Sequence, residues 1–459
     1  MEKTMQSYEP IAAISTPYGR GGIAVIRLSG EGSIMLAEKI FVPKSKKRLS
    51  DIESDRAVYG DILRNGKRID DGIATVFRAP RSFTGEDTVE ISCHGGILLT
   101  ESVLTSALES GFRLALGGEF SKRAFLNGKM SLTEAEAVIG LIDAESEEQL
   151  RLSASVTNGV LKNGVNKICD EITELLASVY AYIDYPDEDL TDVSPDELTE
   201  RAERLLHETD MLVSSYRSGR AVNDGIKTAI VGKPNAGKSS VLNRLLGYDR
   251  AIVTSVAGTT RDTVEETAII GRVTLRLCDT AGIRESSDEV ERIGIERSIG
   301  KINEAELILA VFDGSSPLDE LDKDVIDRIS ATDAEVIAVI NKSDISSESD
   351  FDIPFRTVTV SALDGSGFDE LKKSVSDLYI DEKLNYDTTP VLTNARQFAA
   401  ASEAKNRLES ALNALKNGFT QDIAGMDLEL ALSFLREIDG RNVSEEITDR
   451  IFSRFCVGK

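Results

Sequence analysis

The chain is short of cysteine, of long apolar runs and of positive charge. Its four cysteines, Cys93, Cys169, Cys278 and Cys456, stand far apart in 459 residues, which suggests neither a disulfide framework nor a zinc site. No apolar run approaches the roughly 20 residues that span a bilayer. Residues 1–10 (MEKTMQSYEP) lack the basic-then-apolar order of a signal peptide, so the expectation is a cytoplasmic protein with no membrane contact. Lysine and arginine number 53 against 78 aspartates and glutamates, a net charge of −25, which argues against a simple polyanion binder. The deficit is uneven: residues 1–120 carry −1 and the rest −24. Any nucleic-acid contact would therefore use local clusters, such as Lys44, Lys46, Lys47 and Arg48, or Lys122, Arg123 and Lys129. Internal repeats and low-complexity segments are also lacking, and the length suits about three domains.

What the chain does have is centred on residues 232–239, GKPNAGKS, which fit the phosphate-loop pattern G-x-x-x-x-G-K-[ST]. The apolar run before it (IKTAIV) reads as a buried strand and the run after it (SVLNRLL) as a helix. That is the context the motif needs. Backbone N–H groups of Asn235, Ala236, Gly237, Lys238 and Ser239, with Ser240 following, can face a polyphosphate at a helix N-terminus. Lys238 can reach the outer phosphates, and the Ser239 hydroxyl can ligate Mg²⁺. A second strand, 275–278, runs into Asp279, Thr280, Ala281 and Gly282. The aspartate can hold the metal through water, and the glycine lets backbone approach a γ-phosphate. A third, 336–340, ends in Asn341, Lys342, Ser343 and Asp344. A carboxylate there accepts the paired N–H groups of guanine's edge, which adenine lacks. Residues 357–360 then lead into Ser361 and Ala362. Three such motifs in this order, each at a strand end, define a GTPase domain.

Elsewhere the pattern changes twice. Residues 1–120 read as mixed α/β, with strands at 11–14, 23–28, 72–77 and 88–92, helices at 32–40 and 96–109, and a glycine-rich turn at 17–22. The stretch 83–96 (FTGEDTVEISCHGG) is unusually polar for a segment between core strands. Helical periodicity follows over 122–155, 165–182 and 195–217, interrupted by the acidic segment 184–189. It returns at 394–416, 427–439 and 444–455. A helical domain divided by a compact nucleotide-binding unit suggests an insertion. The expected boundaries are 1–120 for the N-terminal domain, 121–220 and 381–459 for the two helical parts, and 221–380 for the GTPase domain.

One position breaks the GTPase pattern. Ile283 follows Gly282 where Ras-like enzymes place a water-orienting glutamine, and an isoleucine cannot orient water. Residues 254–262 (TSVAGTTRD) offer Thr260 to complete the Mg²⁺ shell, and 284–292 (RESSDEVER) offers several carboxylates that could act on water.

The chain resembles the MnmE (TrmE) family of tRNA-modification GTPases over essentially its whole length. The stretches that carry this are 19–30 (GRGGIAVIRLSG), 83–96, 118–137 (GEFSKRAFLNGKMSLTEAEA), 254–262, 279–295 and the terminal Phe455-Cys456-Val457-Gly458-Lys459. The phosphate loop alone fits many GTPases; the N-terminal stretches and the Cys-x-Gly-Lys tail are specific. Tyr18, where a smaller residue is more usual, is a mild departure.

The resemblance implies an N-terminal α+β tetrahydrofolate-binding domain that also forms a homodimer, a helical domain, and an inserted Ras-like domain. It implies a K⁺-dependent GTPase that works with an FAD-containing MnmG-like partner in a heterotetramer. Together they add an aminomethyl or carboxymethylaminomethyl group to carbon 5 of the wobble uridine of certain tRNAs. The one-carbon unit would come from 5,10-methylene-tetrahydrofolate, with 5-formyl-tetrahydrofolate a related ligand. By motif, Arg27, Glu90, Lys129 and Lys459 form the folate site. The K⁺ site uses Asn235, Thr254, Val256 and Thr259, and the nucleotide loop there includes Ser255, Ala257, Gly258 and Thr260. Glu291 matches the catalytic glutamate, and Cys456 is a candidate thiol.

Two rival classes share part of this pattern. A ribosome-assembly GTPase switch has the nucleotide motifs but needs neither 83–96 nor the terminal tail. A folate enzyme with GTP as a structural ligand would show no GTP turnover in any salt.

Overall fold

The computed structural model describes residues 9–184, 194–248, 266–277, 304–345, 352–417, 421–453, 455, 457 and 458. The chain divides into two compact units, Met1–Ile139 with Asp439–Lys459, and Gly140–Ile438.

The first unit is built on a seven-stranded sheet. Its strands are β1 (Ile11–Ile14), β2 (Ile23–Ser29), β3 (Phe41–Pro43), β4 (Arg56–Arg64), β5 (Lys67–Phe77), β6 (Thr88–His94) and β7 (Arg113–Leu114), in the spatial order β3-β4-β5-β6-β2-β1-β7. All neighbours are antiparallel except β1 and β7. Alternation along β2 and β6 sends Ala24, Ile26 and Leu28, with Val89, Ile91 and Cys93, to one face. There they meet α1 (Ser33–Ala37) and α2 (Ile97–Ser110) in a core that includes Ile34, Val103 and Ala107. The same alternation places Arg27 and Glu90 opposite each other on the other face.

Two further helices, α3 (Glu119–Leu126) and α4 (Leu132–Asp143), follow the sheet. The C-terminal helix Glu445–Phe452 returns to them, as Phe452 and Phe455 pack with Leu132 and Ala135. The tail then lies along the sheet. Val457 bridges Gly117, and Ser15 donates its hydroxyl to the Gly458 carbonyl at 3.0 Å. Gly458 is required there: its φ is 99°, and a Cβ would fall 2.2 Å from the Ile14 carbonyl oxygen.

Sequence periodicity over 122–155 resolves into three helices, the third being α5 (Glu147–Thr157) in the second unit. Gly128, with φ 70°, ends one, and the capping box of Ser146 and Gln149 begins another. Strands β3 and β4 and the first half of β5 were not expected. β3 is only three residues long, and charged residues interrupt the apolar pattern beside the β4–β5 turn, where Arg68 pairs with Asp61 across the hairpin.

In the second unit α5 is followed by α6 (Val160–Asp184) and the long α7 (Pro195–Asn223), which Ser194 caps and Pro195 opens. Two residues later β8 (Ile226–Val231) begins a six-stranded sheet. It continues through α8 (Lys238–Tyr248), β9 (Glu266–Ile270), β10 (Val273–Leu277), β11 (Leu307–Asp313), α9 (Glu320–Ser330), β12 (Glu335–Asn341), β13 (Arg356–Thr359) and α10 (Phe368–Tyr379). The order is β13-β12-β11-β8-β10-β9, parallel except for β9. Parallel strands covered by helices explain the unbroken apolar runs of β11 and β12. The chain then forms α11 (Ala395–Lys416) and α12 (Gln421–Ile438), which bundle with α6 and α7.

The sheet's entry and exit are held together on α7. The Ser218 hydroxyl donates to the Tyr379 carbonyl at 2.9 Å and accepts from the Asp381 N–H at 3.0 Å. Arg220 pairs with Glu306 and Arg217 with Glu335. Of the acidic segment at 184–189 expected to break the helices, Asp184 ends α6 and residues 185–189 lie outside the described residues.

Candidate functional site

The sheet of the second unit ends its parallel strands on one edge, and the nucleotide motifs sit there. β8 gives way to residues 232–239 and then to α8. The loop bends through residues in the left-handed region: Asn235 at φ 61° and Gly237 at φ 95°. Lys238 turns back over it, donating its ammonium to the carbonyls of Gly232 (2.9 Å) and Lys233 (2.8 Å).

The motif after β12 joins this loop directly. Asn341 is 2% exposed, and its side-chain amide donates to the Ala236 carbonyl at 3.1 Å. Its amide oxygen accepts from the Ala362 N–H at 3.0 Å. A Cβ on Gly237 would lie 2.1 Å from this amide nitrogen, so the loop closes on Asn341 only because residue 237 is glycine. Lys342 adopts φ 68° and pairs with Asp313 at 2.6 Å. Burial alone would raise the Asp313 carboxyl, but hydrogen bonds from Lys342 and Ser315 hold it below its ordinary value. Asp344 accepts from the Ser361 hydroxyl at 2.7 Å, which fixes its carboxylate beside the loop. Asn341, Lys342, Asp344, Ser361 and Ala362 are thus brought together with residues 235–239.

The other expected nucleotide and metal residues lie outside the described residues: Thr254, Ser255, Val256, Ala257, Gly258, Thr259, Thr260, Asp279, Thr280, Ala281 and Gly282, with Ile283 and Glu291. Ser239 stands at the start of α8, where a hydroxyl can ligate a magnesium ion beside a bound polyphosphate.

The second group of expected residues is on the sheet of the first unit. Arg27 of β2 donates its Nε to Glu90 of β6 at 2.8 Å. The guanidinium lies 4.9 Å from the centre of the Phe83 ring and 5.6 Å from that of Phe120. Lys129 donates to the Pro80 carbonyl at 2.9 Å, on the loop that carries Phe83. Lys459 and Cys456 lie outside the described residues, but Gly458 is bound at the end of β1, next to β2. A guanidinium, a carboxylate and an aromatic face are a donor set suited to a flat heterocycle with paired N–H groups.

The basic cluster of Lys122, Arg123 and Lys129 is not an open positive surface. Arg123 is 2% exposed and bound to Glu86 and Glu119, and Lys122 pairs with Asp449. Arg123 thereby anchors the 83–87 stretch that carries Phe83. Sequence reasoning missed this anchor, along with Asp313. Asp313 had a visible signal, an acid closing the apolar strand LILAVFD. Burial pushes the Cys93 thiol up to about 11, so it stays protonated.

A largely parallel sheet, a phosphate-loop sequence between strand and helix, and a strand-end Asn-Lys-x-Asp stapled to that loop define a GTP-binding domain of the P-loop class. The family model for the MnmE helical domain matches residues 132–456, and that for the GTP-binding protein TrmE N-terminus matches residues 10–129. The tRNA modification GTPase MnmE of Thermotoga maritima is 42% identical over 459 aligned residues, covering 98% of this chain and 100% of its own. Its counterpart from Geobacillus kaustophilus is 40% identical over 464, covering 99% and 100%. The chain belongs to the MnmE family of tRNA modification GTPases. Among solved structures, a variant of Aquifex aeolicus Era bound to GDP and AlF4⁻ is 30% identical over 40% of this chain and 66% of its own, with a TM-score of 0.27. No helix among the described residues is long and apolar enough to cross a membrane.

Asp344→Asn removes the charge that would bind guanine's edge. With each charge-assisted hydrogen bond worth about 1.5–3 kcal/mol, GTP affinity is expected to fall at least tenfold by calorimetry. Undiminished affinity would remove Asp344 from the site.

Proposed function

We propose that this chain is a K⁺-dependent GTPase that modifies carbon 5 of the wobble uridine in certain tRNAs. It acts as a homodimer with an FAD-containing MnmG-like partner and adds an aminomethyl or carboxymethylaminomethyl group. The one-carbon unit comes from a tetrahydrofolate derivative. The observation that carries this reading is the alignment of the tRNA modification GTPases of the family with this chain from end to end, N-terminal sheet included. A GTPase switch alone has no use for the Arg27–Glu90 pair beneath Phe83.

In this reading Glu90 receives the paired N–H groups of the pterin, while the cations among Arg27, Lys129 and Lys459 serve the carboxylates of the folate's glutamate tail. The nucleotide's phosphates lie on the N–H groups of residues 235–240, with Lys238 moved from its carbonyl partners to the outer phosphates. Mg²⁺ is held by Ser239 and Thr260. K⁺, held by Asn235 with Thr254, Val256 and Thr259, supplies the positive charge that an arginine finger provides elsewhere. Glu291 acts on water in place of the glutamine that Ile283 replaces. Asp344 selects guanine. The domain boundaries proposed are 1–120, 121–220, 221–380 and 381–459. In the compact units, residues 121–139 and 439–459 pack with the N-terminal sheet.

The direct test is mass spectrometry of wobble uridines from cells lacking this protein. The carbon-5 modification is expected to vanish, to return with the wild-type gene, and not to return with Glu90→Ala. Unchanged wobble uridines would overturn the proposal. Steady-state GTP hydrolysis tests the second part. Turnover is expected in KCl and not in NaCl, and Glu291→Ala should lower it on the order of 10²-fold or more while sparing nucleotide affinity. Equal rates in the two salts would sink the potassium claim, and a fully active Glu291→Ala the role of that carboxylate.

A further inference from the structure

The second residue of the phosphate loop is a lysine whose ammonium is held by two aspartates. Lys233 Nζ lies 2.8 Å from Asp319 Oδ2 and 2.7 Å from Asp322 Oδ2. Its side chain is 11% exposed, and that of Asp322 is 2%. The two aspartates form the capping box of α9. Asp319 accepts from the Leu321 and Asp322 N–H groups at 3.0 Å, and Asp322 accepts from the Asp319 N–H at 3.1 Å. Among the described residues Asp322 Oδ1 is buried without a hydrogen-bond partner, and Lys233 and the cap are what compensate that carboxylate there.

The backbone of Lys233 does something separate. Its carbonyl, with that of Gly232, holds the ammonium of Lys238. The segment from Asp313 to Asp322 therefore braces both halves of the nucleotide site. Asp313 fixes Lys342, and Asp319 with Asp322 fixes the peptide on which Lys238 rests.

We propose that Lys233, clamped by Asp319 and Asp322, is a positioning residue that sets the shape of the phosphate loop before nucleotide arrives. The proposal rests on reading residues 232–239 as the phosphate loop. Lys233 and Asp319 both stay charged across the working pH range. The hydrogen bond that Lys233 donates, ahead of the one from the Asp322 N–H, holds the Asp319 carboxyl down at about 2. Burial pulls the Lys233 ammonium down, but the two carboxylates outweigh it and raise it. A loop held in shape in advance favours ground state and transition state alike, so its loss is read in KM more than in kcat.

The test uses the full chain, with titration of a fluorescent GDP analogue and steady-state GTP hydrolysis for wild type, Lys233→Met, Lys233→Arg and the milder Asp319→Asn. Lys233→Met should weaken GDP binding and raise KM about tenfold or more, with kcat changed less than KM. Lys233→Arg, which can also bridge two carboxylates, should recover most of the loss, and Asp319→Asn should show a smaller effect in the same direction. If wild type binds GDP and Lys233→Met binds it equally well, the clamp has no positioning role. A positioning role is equally overturned if Lys233→Met lowers kcat and the melting temperature together and Lys233→Arg recovers neither. If wild type itself fails to bind GDP, the reading of residues 232–239 falls instead.

Discussion

The buried amide of Asn341 spans two backbone groups, the Ala236 carbonyl of the phosphate loop and the Ala362 N–H beyond β13. Three strand ends thereby share one side chain, two of them 21 residues apart and the third 105 residues earlier in sequence. The contact needs a glycine at 237, because any Cβ there would meet the amide nitrogen. Asp344, close behind in sequence, is held by Ser361, so the carboxylate proposed to select guanine is positioned by the same junction. Lose the amide, and a buried carbonyl and a part-buried N–H each want a partner, at up to about 1–3 kcal/mol apiece.

Around that junction the protein uses paired charges to hold backbone rather than to present a charged surface. Asp313 holds Lys342, and Asp319 with Asp322 holds Lys233. In the first unit the same device recurs: Arg123, deeply buried, ties Glu86 and Glu119, and so fixes the loop that lays Phe83 over Arg27. Breaking one partner of such a pair strands a charge, which costs more than the intact pair contributes. These clusters are best understood as braces for the residues that meet ligands.

Much of this was legible in the sequence, and the reason is physical. Strands β8 and β12 are covered on both faces, so they read as apolar runs, and the glycines, asparagine and aspartates at their ends stand out. Arg27 and Glu90 were legible only through resemblance; alternation along β2 and β6 gives them a shared face but not a purpose. The turn half of the β4–β5 hairpin was illegible because its cross-strand partners there are charged, as Arg68 with Asp61 and Arg64 with Lys67. Asp319 and Asp322 were illegible for another reason. A capping box signals a helix start, and nothing local says that its carboxylates reach a lysine 86 residues earlier.

The claim that one amide joins the described parts of the nucleotide site is tested most directly by Asn341→Ala, with GTP and tetrahydrofolate binding measured by calorimetry on the same sample. The account predicts that GTP affinity falls at least tenfold, as two backbone partners are lost, while the tetrahydrofolate binding proposed for the first unit is unchanged. GTP affinity equal to wild type would contradict it.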